Sequence, residues 1–267
     1  MIIIGETING TRNAVKQAIL AGDQAYIERL ALEQAEAGAD YIDVNAGTNP
    51  DRETADMLWL LGIVQGIAEA PICIDSSSPN TLKAALGFVK QVPLVNSINA
   101  DPARLESFLP LIKESGSPVI ALALDESKGG MPKSTAERLE NIDAIVLKTR
   151  AAGIPDSQLF VDPLIMAVST DNAAGMEALA CIRAIRERYP EAHITGGLSN
   201  ISFGLPKREL INRTFLALAM SAGMDSAICN LANTPLIESL KATDMLLGRG
   251  RFCRSYTTAA KQGFIKK

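Results

Sequence analysis

The chain has 267 residues, 47% hydrophobic and 21% charged, enough apolar material for a sizeable core, which excludes disordered and fibrous classes. Its 26 Lys and Arg against 30 Asp and Glu leave a net charge of −4, without the basic face of a nucleic-acid binder. Aromatics make up only 4%, which argues against base-stacking platforms as well.

Short apolar runs alternate with helix-length amphipathic segments from one end to the other. In chain order, the predicted elements are a strand at 2–5, a helix at 24–37, a strand at 41–44 and a helix at 54–68. A strand at 72–75 and a shorter helix from Pro79 follow, then a strand at 94–96 and a helix at 102–115. The second half gives strands at 119–122, 159–161, 193–196 and 226–229, and helices at 135–152, 175–188, 208–222 and 235–247. Strand runs without alternation are what a parallel sheet, buried on both faces, demands. Ser78-Pro79 and Asp101-Pro102 place a capping side chain before a first-turn proline. Gly38, Gly116, Gly153 and Gly223 stand just past helix ends. Eight alternating units in about 250 residues, without a linker or a glycine-rich phosphate turn after the first strand, predict a single (β/α)8 TIM barrel of the α/β class, one domain over residues 1–267.

The first residues, Met1-Ile2-Ile3-Ile4-Gly5-Glu6, carry no signal-peptide pattern, and no apolar run approaches the ~18 residues of a membrane span. A cytoplasmic protein is expected. Cys73, Cys181, Cys229 and Cys253 have no zinc or redox spacing and are expected to be reduced structural thiols.

Active sites of such barrels lie at the C-terminal ends of the strands. The residues there are Glu6, Asp43, Asn45, Asp75, Ser76, Asn96, Asn99, Asp125, Asp162, Ser199, Asn200 and Asn230. For Asn45, Asp125 and Asn230, capping or loop hydrogen bonding competes with a ligand contact. Asp75, Asn96 and Asp162 each end an apolar run and are expected to point into the mouth, where a buried carboxylate must find donors. The only histidine, His193, sits at a strand start on the opposite face, so imidazole-held metals and histidine triads are excluded. Two ligands fit the remaining set: magnesium held by Asp43, Asp75 and Asp162, or a flat heterocycle whose paired N–H groups meet carboxylates as arginine does.

Several motifs occur in order at these strand ends: Ile4-Gly5-Glu6-Thr7-Ile8-Asn9-Gly10, Asp43-Val44-Asn45, Ile74-Asp75-Ser76, Asn96-Ser97-Ile98-Asn99, Val161-Asp162-Pro163-Leu164 and Gly196-Gly197-Leu198-Ser199-Asn200-Ile201-Ser202-Phe203. Through them the chain resembles the pterin-binding barrels and, within these, the methyltetrahydrofolate:corrinoid-protein methyltransferases. The resemblance implies methyl transfer between N5 of methyltetrahydrofolate and the cobalt of a corrinoid (cobalamin). Asp75, Asn96 and Asp162 would hold the pterin ring, Gly197 and Ser199 would join them, and Asn200 would meet the methyl-bearing nitrogen as the catalytic group. Glu6, Asp43, Asn45, Phe203 and Arg208 would stand around these. Phe203 departs from the polar amide of the acetogen-type enzymes and looks like the folate module of cobalamin-dependent methionine synthase. Since Ala192-His193-Ile194-Thr195-Gly196 is not a cobalt-ligating signature, the corrinoid is expected on a separate protein docked over the mouth. No metal bound by this chain is expected, and the family analogy suggests a homodimer. Two alternatives stand beside this reading: a dihydropteroate synthase-like pterin enzyme, disfavoured because Asp162-Pro163-Leu164-Ile165-Met166-Ala167 carries no lysine, and a non-catalytic folate-binding subunit.

Overall fold

A computed structural model describes residues 1–232, 234–249, 253–261 and 265. The strands are β1 (Ile2–Asn9), β2 (Tyr41–Asn45), β3 (Ile72–Asp75), β4 (Leu94–Ile98), β5 (Val119–Leu122), β6 (Leu159–Asp162), β7 (His193–Ile194) and β8 (Ser226–Cys229). All pairings are parallel, in the order β7-β6-β5-β4-β3-β2-β1-β8. The ring closes where Ile228 N donates to Gly196 O at 3.0 Å and Gly197 bridges Ile228. This is the TIM barrel that the alternating pattern predicts.

Helices α1 (Asn13–Ala21) and α2 (Gln24–Glu36) follow β1, and α3 (Pro50–Ile67), α4 (Pro79–Leu86) and α5 (Pro102–Ser115) follow the next three strands. After them come α6 (Thr135–Ala151), α7 (Ala174–Arg188), α8 (Arg208–Ala222), α9 (Thr234–Leu246) and α10 (Arg254–Lys261). Ser78 Oγ accepts from Thr81 N, and Asp101 Oδ1 from Arg104 N, so both cap-proline signals act as helix starts. The four predicted stop glycines all have positive φ, between 65° and 121°. Among the described residues, no helix is long and apolar enough to cross a membrane.

Several boundaries differ from the sequence expectation. The segment Asn13–Ala21 is an unpredicted helix that buries Val15, Ala18 and Ile19 at three- and four-residue steps. Helix α3 starts at Pro50 rather than 54, with proline in its first turn as in α4 and α5, although the Asn49 side chain makes no cap bond. Strand β1 runs on to Asn9 through a register shift between Gly5 and Ile8. Glu6 therefore lies within a strand and not at its end. Strand β7 is two residues long, because from Thr195 onward the backbone bonds singly to Val161 and Ile228.

The period-2 alternation of the strands sorts side chains between two cores. Ile42 and Val44, Ile72 and Ile74, Val119 and Ala121, and Leu159 and Val161 pack against the helices. Ile4, Cys73, Leu94, Ile120 and Phe160 fill the lower barrel. One step further along the inward series come Asp43, Asp75, Asn96 and Asp162. Closure of eight strands with a shear of 8 staggers neighbours by about one residue, so alternate strands contribute to one layer. Cys73 pairs with both Asp43 and Leu94, so that stagger brings Asn96 of β4 level with Asp43 of β2. The polar layer is therefore the uppermost interior layer, floored by hydrocarbon.

Candidate active site

Within that layer the polar side chains pair across strands. Asn96 Nδ2 donates to Asp43 Oδ1 at 3.1 Å, and Asn45 Nδ2 donates to Asp75 Oδ2 at 2.8 Å. Asn45 is thus neither a cap nor a loop anchor but part of the constellation. Burial, and then the neighbouring Asp75 carboxylate, push the Asp43 carboxyl well above the usual range. Burial also raises Asp75, with the Asn45 amide and the Arg104 guanidinium opposing it. Asp162 ends β6; its Oδ1 accepts from Leu164 N at 2.8 Å, and this bond and the Gly197 backbone favour the charged carboxylate. Burial nevertheless raises Asp162 to about 6.

The segment after β7 forms a 3-10 turn, Leu198–Ser202, that carries Asn200. Asn200 is exposed at the mouth, and among the described residues its amide has no hydrogen-bond partner. The two glycines before the turn leave room for neighbouring side chains to pack closely against the backbone. A Cβ on Gly196 would lie 2.8 Å from Ile165 Cδ1 and 3.4 Å from Asp162 Oδ1. One on Gly197 would lie 3.1 Å from Asn200 Nδ2. Bare backbone here lets Asp162 and Asn200 share one wall of the mouth. Phe203 caps the turn with its ring 66% exposed.

Arg208, at the start of α8, donates from Nη2 to Ser199 O at 2.7 Å and from Nε to Ser202 Oγ at 3.1 Å. It braces the turn instead of standing as a solvated helix-start charge. With Glu6, Arg12, Ser199, Glu209, Asn212 and Asn230 it lines a polar cleft of about 290 Å³. Burial raises the Glu6 carboxyl, and Arg12, 3.6 Å away, and Arg208 pull it back.

Other expectations resolve toward structure. Asp125 Oδ1 accepts from Ser127 N, and Asn230 Oδ1 from Ala232 N, so both tie down loops. His193 Nδ1 lies 3.0 Å from Asp225 Oδ2 at the start of β7, away from the mouth, and its ring packs 4.6 Å from that of Phe160. Three arginines escaped the sequence reading. Arg12 follows the unpredicted end of β1. Arg104 reaches Ser97 O with Nε and Nη2 at 3.0 and 2.7 Å and Ser77 O with Nη1, holding the loops after β3 and β4. Arg138, buried on α6, draws the Asp162 carboxyl downward, while its own Nε and Nη1 find no partner among the described residues. On a sequence, each reads as an ordinary helix or loop charge.

Residues 5–230 match the pterin binding enzyme family. The chain is 42% identical to the methylcorrinoid:tetrahydrofolate methyltransferase of Eubacterium limosum, over 99% of this chain and 98% of that protein. It is 30% identical to the methionine synthase of Mycobacterium leprae over 85% of its own length, a match that spans only 20% of that longer protein. Among solved structures, dihydropteroate synthase from Stenotrophomonas maltophilia superposes with a TM-score of 0.69 at 18% identity, covering 93% of this chain and 94% of that one. The Xanthomonas albilineans dihydropteroate synthase gives 0.66 at 18% identity, covering 92% of each chain, and at such identities the likeness shows the fold alone. The family match and the full-length relative agree: this chain belongs to the pterin-binding enzymes.

Proposed function

We propose that the protein is a methyltransferase that moves a methyl group between N5 of tetrahydrofolate and the cobalt of a corrinoid carried by a separate protein. The observation that carries this reading is the 42% identity, over nearly the whole of both chains, to a methylcorrinoid:tetrahydrofolate methyltransferase. The mouth supports it with chemistry. Asp75 and Asp162 offer carboxylate acceptors to the N–H groups of a pterin edge, and Asn96 adds an amide between them. Gly197 and Ser199 form the adjoining wall, Phe203 stands at the rim, and Glu6, Asp43, Asn45 and Arg208 support or flank the contacts. Dihydropteroate synthase chemistry is disfavoured, because the segment after β6 lacks a lysine for a pyrophosphate leaving group.

In one direction, the N5 lone pair of tetrahydrofolate attacks the methyl carbon; the C–N bond forms as the Co–C bond breaks, the cobalt keeps its electron pair as Co(I), and N5 releases a proton to water. In the other direction, the Co(I) electron pair attacks the methyl carbon, the Co–C bond forms as the C–N bond breaks, and N5 leaves with that bond's electron pair and takes a proton from water. Asn200 is assigned the hydrogen bond to N5. A bond that strengthens as charge changes on that nitrogen lowers the barrier without tightening ground-state binding. Asn200 needs no acidity for this role.

The corrinoid is assigned to a partner protein, since the only histidine is engaged by Asp225 at the far end of β7. No metal is assigned to this chain itself. A single barrel domain over residues 1–267, cytoplasmic and homodimeric, completes the proposal; Leu210 and Leu218, both half exposed on one stripe of α8, provide apolar surface for a subunit contact. Incubating the protein with methylcobalamin and tetrahydrofolate under anaerobic conditions tests the function. Methyltetrahydrofolate and cob(I)alamin should form in equal amounts; tetrahydrofolate binding without turnover would instead favour a folate-binding subunit.

A further inference from the structure

We infer that Asp43, which the mouth hides from any ligand, is a positioning residue that fixes the order in which the Asn96 amide offers its donor and its acceptor to the substrate. The inference rests on the pterin reading above and deepens it. A primary amide has two N–H donors and one carbonyl oxygen. Asp43 Oδ1 takes one of the donors at 3.1 Å, from a side chain only 3% exposed. The remaining N–H and the carbonyl oxygen of half-buried Asn96 are then left side by side, with the nitrogen on the β2 side.

Without that acceptor the amide has little reason to keep its orientation, because the terminal torsion of asparagine is broad and nearly two-fold. A half-turn would exchange oxygen and nitrogen. The edge of a 2-aminopyrimidinone ring presents N–H and bare ring nitrogen in a set order, so a reversed amide sets donor against donor and acceptor against acceptor. A mismatched pair in a desolvated mouth costs roughly tenfold in affinity, which corresponds to about 1.4 kcal/mol. The orienting bond needs only an acceptor at Oδ1. Protonation of the second oxygen leaves it intact, and an amide at position 43 supplies the same acceptor in the same place.

The ring edge lies away from N5, so the loss should fall on binding in ground state and transition state alike, raising KM and leaving kcat. The experiment compares wild type, Asp43→Ala and Asp43→Asn by tetrahydrofolate titration and by the kinetics of methyl transfer from methyltetrahydrofolate to free cob(I)alamin. Asp43→Ala should raise Kd and KM about tenfold with kcat within threefold; Asp43→Asn should stay within threefold of wild type in all three. A purely structural role would lower the melting temperature of Asp43→Ala without changing the Kd of its folded fraction. An unchanged Kd in Asp43→Ala, or an Asp43→Asn variant as impaired as Asp43→Ala, overturns the assignment. If Asp43→Ala does not fold, Asp43→Ser, too short to reach Asn96, takes its place under the same criteria. Wild type that binds no tetrahydrofolate overturns the pterin reading and this inference together; a binding wild type with the wrong variant pattern overturns the inference alone.

Discussion

The side-chain amide of Asn45 donates to Asp75 Oδ2 at 2.8 Å, tying the end of β2 to the end of β3 inside the barrel mouth. This bond orients the carboxylate, opposes the rise that burial imposes on its pKa, and leaves the second oxygen for a ligand. Hydrogen bonds to charged groups are worth about 1.5–3 kcal/mol. Asn45→Ala should therefore weaken tetrahydrofolate binding about tenfold at pH 7 and lower the melting temperature by several degrees. Calorimetric titration and thermal unfolding read the two effects separately.

Asp162 gives a pH dependence with a defined sign. Binding a pair of ring N–H groups needs the carboxylate, and burial raises this group to about 6. The Kd for tetrahydrofolate should be flat above pH 7 and rise toward tenfold per unit below 6. Stability of the ligand-free protein runs the other way. Its native state holds this proton more tightly than the unfolded chain, so the contribution is fully present below about pH 4 and is lost as the pH rises through 6; the shift corresponds to about 3 kcal/mol. Asp162→Asn should remove this group's share of both dependences and leave those of the buried Asp43 and Asp75 carboxyls, which titrations and denaturant melts from pH 5 to 8 would show.

Gly197 and Asn200 form a second testable pair. A methyl group at position 197 would sit 3.1 Å from Asn200 Nδ2, and the flexible amide would move before the backbone does. Gly197→Ala should therefore fold normally and lose about tenfold in kcat. Asn200→Ala, lacking the donor altogether, should lose about 100-fold, the scale seen when one transition-state hydrogen-bond donor is removed. In both variants KM should stay within threefold; a raised KM with normal kcat would make Asn200 a binding residue only.

Arg208 braces the turn that holds Asn200, through Ser199 O and Ser202 Oγ. A lysine keeps the charge but not the fork. Arg208→Lys should lower kcat several-fold with little change in melting temperature. Equal activity of the two proteins would show that the turn needs no such brace.

The strand-helix alternation, the cap-proline starts and the stop glycines made the barrel legible, because each is written locally in residue type and spacing. Asp75, Asn96 and Asp162 were legible for a related reason: each ends an apolar run, and in a barrel that position is the mouth. Their pairing was not legible. That Asn96 reaches Asp43 across an intervening strand follows from the stagger of a closed barrel, which no local pattern encodes. Nor does the sequence distinguish Arg12, Arg104 and Arg138 from ordinary surface charges, since their roles come from where helices and loops happen to lie against the strand ends.

The most direct test of the account is to mix the protein anaerobically with methyltetrahydrofolate and cob(I)alamin and follow the loss of cob(I) absorbance. The account predicts conversion to methylcobalamin in proportion to enzyme, slowed about 100-fold in Asn200→Ala. Wild-type protein that binds the folate tightly yet leaves the cob(I)alamin unmethylated would contradict it.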